Sequence, residues 1–203
     1  MPVNWQQLLS ITFSVWILCL PDAAASLRIS EFMYHPPEPT GNEVTISTNR
    51  DEFEYIELKN VGPSALDLRD VRFTKGIDFN FVDGSISSIA PGGHVIVVAD
   101  TAAFNLRYGH ASTPSFVAGE FSKNIGNEGE RIKLSYGAGT TVRDFEFDDA
   151  PPWPEAADGH GPSLVLVSPN SIPDHSSALS WRASTSPGGS PGEGDSTTFS
   201  GDP

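Results

Sequence analysis

From Ser26 onward, apolar residues recur at alternate positions in short runs, with turn-forming residues between the runs. That spacing predicts strands. "FEYIELKN" (53–60) alternates well, with Ile56 and Leu58 on one face and Tyr55, Glu57 and Lys59 on the other. Asn60-Val61-Gly62-Pro63 then turns the chain. Before it, "LRISEFMY" (27–34) runs into the Pro-rich break "HPPEPTGNE"; after it come "ALDL" (65–68), "VRFT" (71–74) and "DFNFVDG" (78–84). "HVIVVAD" (94–100) is a continuous Val/Ile run, which predicts a strand covered on both faces. Asp100 is placed to cap a short helix, "TAAFNLRYG", with Phe104 and Tyr108 four apart and Gly109 at its end. "SFVAGEF" (115–121) follows. A hairpin around Gly137-Ala138-Gly139 sets Ile132, Leu134 and Tyr136 on one strand opposite Phe145 and Phe147 on the other. "SLVLV" (163–167) and "SWRAS" (180–184) complete the pattern. Nine or so short strands and one small helix predict an all-β sandwich over residues 26–184, long enough to bury a core without disulfides or metals.

Two flanking segments break the alternation. Leu8 to Leu20 is an unbroken apolar run, followed by Pro21 and Ala23-Ala24-Ala25. Residues 1–25 are therefore predicted to be a signal peptide cut after Ala25, although no Lys or Arg precedes the run. The run is short for a transmembrane helix, so no stable membrane span is expected after cleavage. At the other end, residues 185–203 are rich in Gly, Pro and Ser, with Phe199 the one large apolar side chain. Their composition predicts a disordered tail or linker that adds nothing to the sandwich.

Composition narrows the function classes. Cys19, the only cysteine, lies inside the predicted leader, which removes disulfides, thiol catalysis and zinc–thiolate sites from the mature chain. The full chain carries 26 acidic and 12 basic side chains, a net charge of −14. Such a surface repels phosphate backbones, so nucleic acid is not expected as a partner.

Candidate chemistry concentrates in one loop, "DDAPPWPEAADGHGPSLVLV" (148–167). Asp148, Asp149 and Asp158 are its calcium candidates, but the D-x-D-x-D-G spacing is missing and Pro151-Pro152 interrupts the run. Solvated or capping carboxylates are the favoured role, no metal site is assigned, and calcium stays open as a cofactor. His35, His94, His110, His160 and His175 are scattered, without H-E-x-x-H spacing. Ser163 lacks a G-x-S-x-G elbow, and no carboxylate pair stands out for glycoside cleavage. No catalytic residue is assigned, and no enzymatic activity is expected. Tyr34, Tyr55, Trp153 and Trp181 can form either a binding platform or plugs at the open ends of a sandwich, and plugs are favoured. Pro151, Pro152 and Pro154 would hold Trp153 extended over the apolar rim, with Asp158-Gly159 turning the chain before the next strand.

Seven segments in order, "ISEFMYHP", "EFEYIELKNVGPSALDL", "GIDFNF", "IAPGGHVIVVAD", "NEGERIKL", "PWPEAADGHGPSL" and "SWRASTSPGGSPG", resemble the lamin tail domain as found in exported bacterial proteins. The resemblance spans roughly residues 27–191. It implies an immunoglobulin-like β-sandwich and a non-enzymatic interaction module. In nuclear lamins that module ends a filament protein; in bacteria it accompanies exported hydrolases and spore-coat kinase-like domains. The predicted leader, the lack of heptads and the acidity argue against filament and chromatin roles here. Two expectations follow. One is a secreted, periplasmic or cell-surface binding or scaffolding module for a protein or cell-surface component. The other is a carbohydrate-binding or adhesion accessory, calcium-assisted, of a multidomain exported enzyme. An exposed strip pairing Tyr55 with a tryptophan would favour the second, and buried aromatics the first. Sequence names no binding residue.

Overall fold

The computed structural model describes residues 25–110 and 112–195. The predicted leader up to residue 24, Cys19 and Phe199 lie outside the described residues. Twelve strands are present among those described: β1 (Leu27–Met33), β2 (Tyr55–Asn60), β3 (Leu66–Asp67), β4 (Val71–Lys75), β5 (Phe79–Asn80), β6 (Ser88–Ile89), β7 (His94–Val98), β8 (Val117–Glu120), β9 (Arg131–Tyr136), β10 (Thr140–Glu146), β11 (Leu164–Leu166) and β12 (Trp181–Ala183). A six-stranded sheet in the order β12-β11-β1-β2-β7-β8 faces a four-stranded sheet β10-β9-β4-β5, with β3-β6 as a small third ribbon. Only the β7–β8 pairing is parallel among them. The fold is an immunoglobulin-like sandwich with more and shorter strands than the alternation suggests. The excess comes from two-residue pairings such as β3–β6, which leave no periodic signal.

The helix α1 (Thr101–Arg107) forms where its capping pattern places it: the Asp100 side chain accepts a hydrogen bond from Ala103 N. Phe104 and Tyr108 lie on one stripe with tilted rings, centroids 4.7 Å apart, and Gly109 ends the helix at φ +76°. β7 is covered on both faces, as its continuous apolar run predicts. Val95 and Val97 enter the main core, while Ile96 and Val98 join Tyr55, Phe104, Met33 and Val117 in a second cluster on the outer face of the six-stranded sheet.

A bulge in β1 decides which residues reach that outer face. Ile29 pairs with Leu58 and Glu31 with Glu57, so Ser30 is an extra residue. The inward set therefore switches from Leu27 and Ile29 to Phe32 and Tyr34, a phase change that strict alternation would not produce. Phe32 then lies at the centre of the main core, with ring centroids 5.0 Å from Phe147 and 5.2 Å from Trp181.

The expectation of a disordered segment from residue 185 is corrected for residues 185–195. They form a strap that packs on the outer face of the six-stranded sheet. Asp195 receives hydrogen bonds from Arg182 Nη1 at 2.9 Å, Thr185 N at 2.9 Å and Thr185 Oγ1 at 2.7 Å. The composition that reads as a flexible linker also lets a backbone lie close against its neighbours. A Cβ on Gly189, at φ +81°, would sit 2.0 Å from Glu31 Oε1 and 2.2 Å from the Tyr55 hydroxyl. Only glycine fits there.

Candidate functional site

The loop singled out by sequence serves the fold. Trp153 is 9% exposed and belongs to the main core, 6.3 Å from Phe147 and 6.4 Å from Trp181. Tyr34, Tyr55 and Trp181 are buried too. All four aromatics expected as either plugs or platform are inside. The calcium candidates take separate roles. Asp148 caps its own turn, accepting from Ala150 N at 2.9 Å, and the neighbouring Asp149 is pushed up by desolvation and by Asp148. Asp158 Oδ1 lies 2.5 Å from His35 Nδ1, and His35 Nε2 lies 2.6 Å from Arg50 Nη1. Arg50 donates in turn to Glu38. With Nδ1–H donating to Asp158, Nε2 is left to accept from Arg50, so one neutral tautomer satisfies both neighbours. No group of three or more His, Cys, Asp or Glu poised for a metal occurs among the described residues.

Sequence reasoning did not single out the polar groups beneath the strap. Glu31 and Glu57 are both 1% exposed. Glu31 Oε1 lies 2.5 Å from the Tyr55 hydroxyl and accepts from Ser163 Oγ at 2.7 Å and Ser190 N at 2.8 Å, while Oε2 accepts from Ser190 Oγ at 2.9 Å. Glu57 Oε1 accepts from Ser30 Oγ at 2.6 Å and Oε2 from Gly192 N at 2.8 Å. Burial, and then the neighbouring Glu31, push the Glu57 carboxyl up to about 8. His94 Nε2 stands 3.8 Å from Glu57, and burial lowers the imidazole to about 4. The strap is thus held by hydrogen bonds from its own backbone and Ser190 to two buried carboxyl groups. A signal for them was on hand: Glu31 and Glu57 each interrupt an apolar strand on the face that also carries Tyr55.

Beside the strap lies an open cleft of ≈720 Å³. One wall is the Pro-rich break after β1, including Pro37, Glu38 and Glu43; another is the end of α1, including Arg107, Tyr108 and His110; the third is the strap from Pro187 to Pro191 with Glu193. Arg107 ties the first two walls together. Its Nε and Nη2 donate to Glu43 at 2.7 and 2.9 Å, and its guanidinium lies 3.7 Å over the Phe53 ring. The Asp158–His35–Arg50–Glu38 chain reaches the same wall, so the loop at 148–167 braces the cleft from outside. The arrangement offers a mainly apolar floor with a charged rim, suited to holding a ligand.

Another buried acid lies away from the cleft. Glu54 is fully buried, Oε2 accepts from Ile125 N at 2.8 Å, Oε1 has no partner, and desolvation pushes the carboxyl up to about 10.

Residues 21–149 match the family model of the Lamin Tail Domain. The match ends at the start of the loop that carries Trp153, so β11, β12 and the strap lie beyond it. No curated protein and no solved structure matches the chain significantly.

Proposed function

The chain belongs to the lamin tail domain family, and on that premise we propose that it is an exported, non-enzymatic binding or scaffolding module. Its partner is a protein or a cell-surface component, and it works outside the cytoplasm: secreted, in the periplasm or at the cell surface. The observation that carries this reading is the ≈720 Å³ cleft, whose walls come from two loop segments and the end of α1 on the sandwich. The carbohydrate-platform alternative needs exposed aromatics, and Tyr34, Tyr55, Trp153 and Trp181 are all buried. The apolar run at Leu8–Leu20 and the Ala23-x-Ala25 pattern support export.

Cross-linking in the native cells, followed by capture and mass spectrometry, tests the proposal. Cross-links from a single partner to the cleft walls, around Glu38, His110 and Glu193, are expected. Cross-links confined to the opposite sheet, or recovery of polysaccharide alone, would defeat it. Amino-terminal sequencing of the released protein should begin at Ser26; an intact Met1 in released protein would remove the export element.

A further inference from the structure

The strap that walls the cleft is fastened in two unlike ways. Its ends are clamped to each other at the edge strand β12. The Asp195 carboxylate accepts from Arg182 Nη1 and Thr185 N at 2.9 Å and from Thr185 Oγ1 at 2.7 Å, and its carbonyl accepts from Arg182 Nη2 at 3.0 Å. Thr185 and Asp195 therefore close the base of an Ω-shaped loop without help from the surface under its tip. The tip, residues 187–193, reads "PGGSPGE" and carries no apolar side chain larger than proline. It is held by directional contacts. Ser190 N and Oγ donate to Glu31, Gly192 N to Glu57 and Gly188 N to Gly161 O at 2.8 Å, while Gly188 O lies 3.1 Å from the Tyr55 hydroxyl. A segment fixed by hydrogen bonds with so little apolar burial opens at a lower free energy than the core. The loop at 148–167 differs in this respect, because Trp153 anchors it in the main core.

Beneath the strap is a cavity of ≈180 Å³ whose lining includes Glu57. The charged and titratable groups around it are Glu31 on β1, Lys59 on the same strand as Glu57, His94 on β7, Arg182 on β12, and Glu193 and Asp195 on the strap. Arg182 is committed to Asp195. His94, lowered to about 4 by burial and by Lys59, is neutral above about pH 5. Among the described residues, Lys59 is left to face Glu31, Glu57 and Glu193. Seating the tip strips water from the Glu57 carboxyl. That loss outweighs the hydrogen bonds from Ser30 and Gly192, and burial followed by Glu31 pushes the carboxyl up to about 8. With the tip lifted, water returns and the carboxyl moves back toward its ordinary value. The seated tip thus holds the Glu57 proton more tightly than the lifted one, so seating is strongest at low pH and weakens as pH rises toward 8.

We propose that residues 187–193 are a lid hinged at the Thr185–Asp195 clamp, which seats over Glu31 and Glu57 in mildly acidic medium to complete the cleft and lifts in alkaline medium. Lifting removes the wall formed by Gly188, Gly189 and Ser190. It also joins the ≈720 Å³ cleft to the cavity beneath, since Glu193 lines both. A ligand held by three walls then loses one of them, so the cleft binds more tightly below the window than above it. This regulation rests on the reading of the cleft as a binding site.

The test is amide hydrogen exchange on the free, full ¹⁵N-labelled chain between about pH 5.5 and 8, each rate corrected for its intrinsic pH dependence. The reporters are the Ser190 and Gly192 amides of the lid, with Val97 in the central strand β7 as reference. No partner is needed, so a failure here leaves the binding reading standing, whereas cross-links confined away from the cleft would remove that reading without touching these rates. Protection of Ser190 and Gly192 should fall by about tenfold or more across the range and end about tenfold or more below that of Val97, as local opening requires. Glu57→Gln, which keeps a neutral group at that position, should hold lid protection within about threefold over the same range. The proposal is overturned if the lid amides exchange only together with Val97 at every pH, if their protection does not change with pH, or if folded Glu57→Gln loses protection as the wild type does. Should Glu57→Gln fail to fold, the first two outcomes, read on the wild type alone, still decide.

Discussion

The two faces of the six-stranded sheet are built from alternate residues of the same strands, yet they are closed by different physics. Inward, Phe32, Ile56, Leu58, Val95 and Val97 meet the opposite sheet and the Trp153 plug in a fully apolar core. Outward, Tyr55, Ile96 and Val98 share the surface with Glu31 and Glu57, and part of the cover is a glycine-rich strap hydrogen-bonded to those carboxyl groups. Apolar packing is non-directional and tolerates no void; strap docking is directional and depends on protonation. The inner face gives the molecule its stability, and the outer face shapes the cleft that the proposed function needs.

The largest expected effect tests the inner face. Trp153→Ala should cost about 3–5 kcal/mol in urea unfolding, the usual range for emptying a core aromatic site. A loss well under about 1 kcal/mol would mean that the loop does not plug the sandwich.

Truncation after Ser184 tests the outer face. It removes the strap's donors to Glu31 and Glu57, Ser190 and Gly192, and the Arg182–Asp195 pair, and it uncovers Tyr55. The melting temperature should fall by about 5–10 °C, corresponding to roughly 2–3 kcal/mol for a domain of this size. A drop below about 2 °C would make the strap a linker after all.

Protonation sharpens the contrast. Glu57 holds its proton up to about 8 in the fold, against 4.5 as its ordinary value. Between those limits the native state binds the proton more tightly than the unfolded chain, so stability falls as pH rises through the window and is fully present only below it. Glu54, pushed up to about 10, acts in the same direction. His94 and His175, lowered to about 4 from 6.5, act at the acid end, where stability is lost as pH falls from about 6.5 toward 4. Glu57→Gln keeps the neutral, hydrogen-bonding form. It should change stability by less than about 1 kcal/mol at pH 5.5 and flatten, without abolishing, the decline between pH 5.5 and 8. Denaturant midpoints at several pH values provide the check, and an unchanged slope in the variant would contradict the assignment.

The smallest effect belongs to the loop's exposed carboxyls. Asp148→Asn should leave the melting temperature within about 1–2 °C, with or without millimolar calcium. A large calcium-dependent rise in the wild type that the variant loses would restore the metal reading.

Much of the inner face was legible in the sequence. The alternation in "FEYIELKN", the double-sided apolar run of β7, the cap at Asp100 and the facing of Phe145 and Phe147 all follow from local periodicity, and the lamin-tail motifs are local as well. Periodicity also showed that Tyr55 and Glu57 point away from Ile56 and Leu58; it could not show that they are buried. That depended on the bulge at Ser30 and on a strap arriving from residues 185–195, more than a hundred positions later in the chain.

Sequence alone therefore determined the alternating strands, the capped helix, the tryptophan plug and the family, because each is encoded by neighbours within a few residues. Only the tertiary structure decided that "SPGGSPGEGD" is a docked strap and that Glu31 and Glu57 are buried beneath it. Glycine and proline mark both disordered linkers and tightly fitted backbone, and composition cannot separate the two. What separates them is whether hydrogen-bond partners wait at the contact, and those partners are brought together by long-range pairing that no local pattern records.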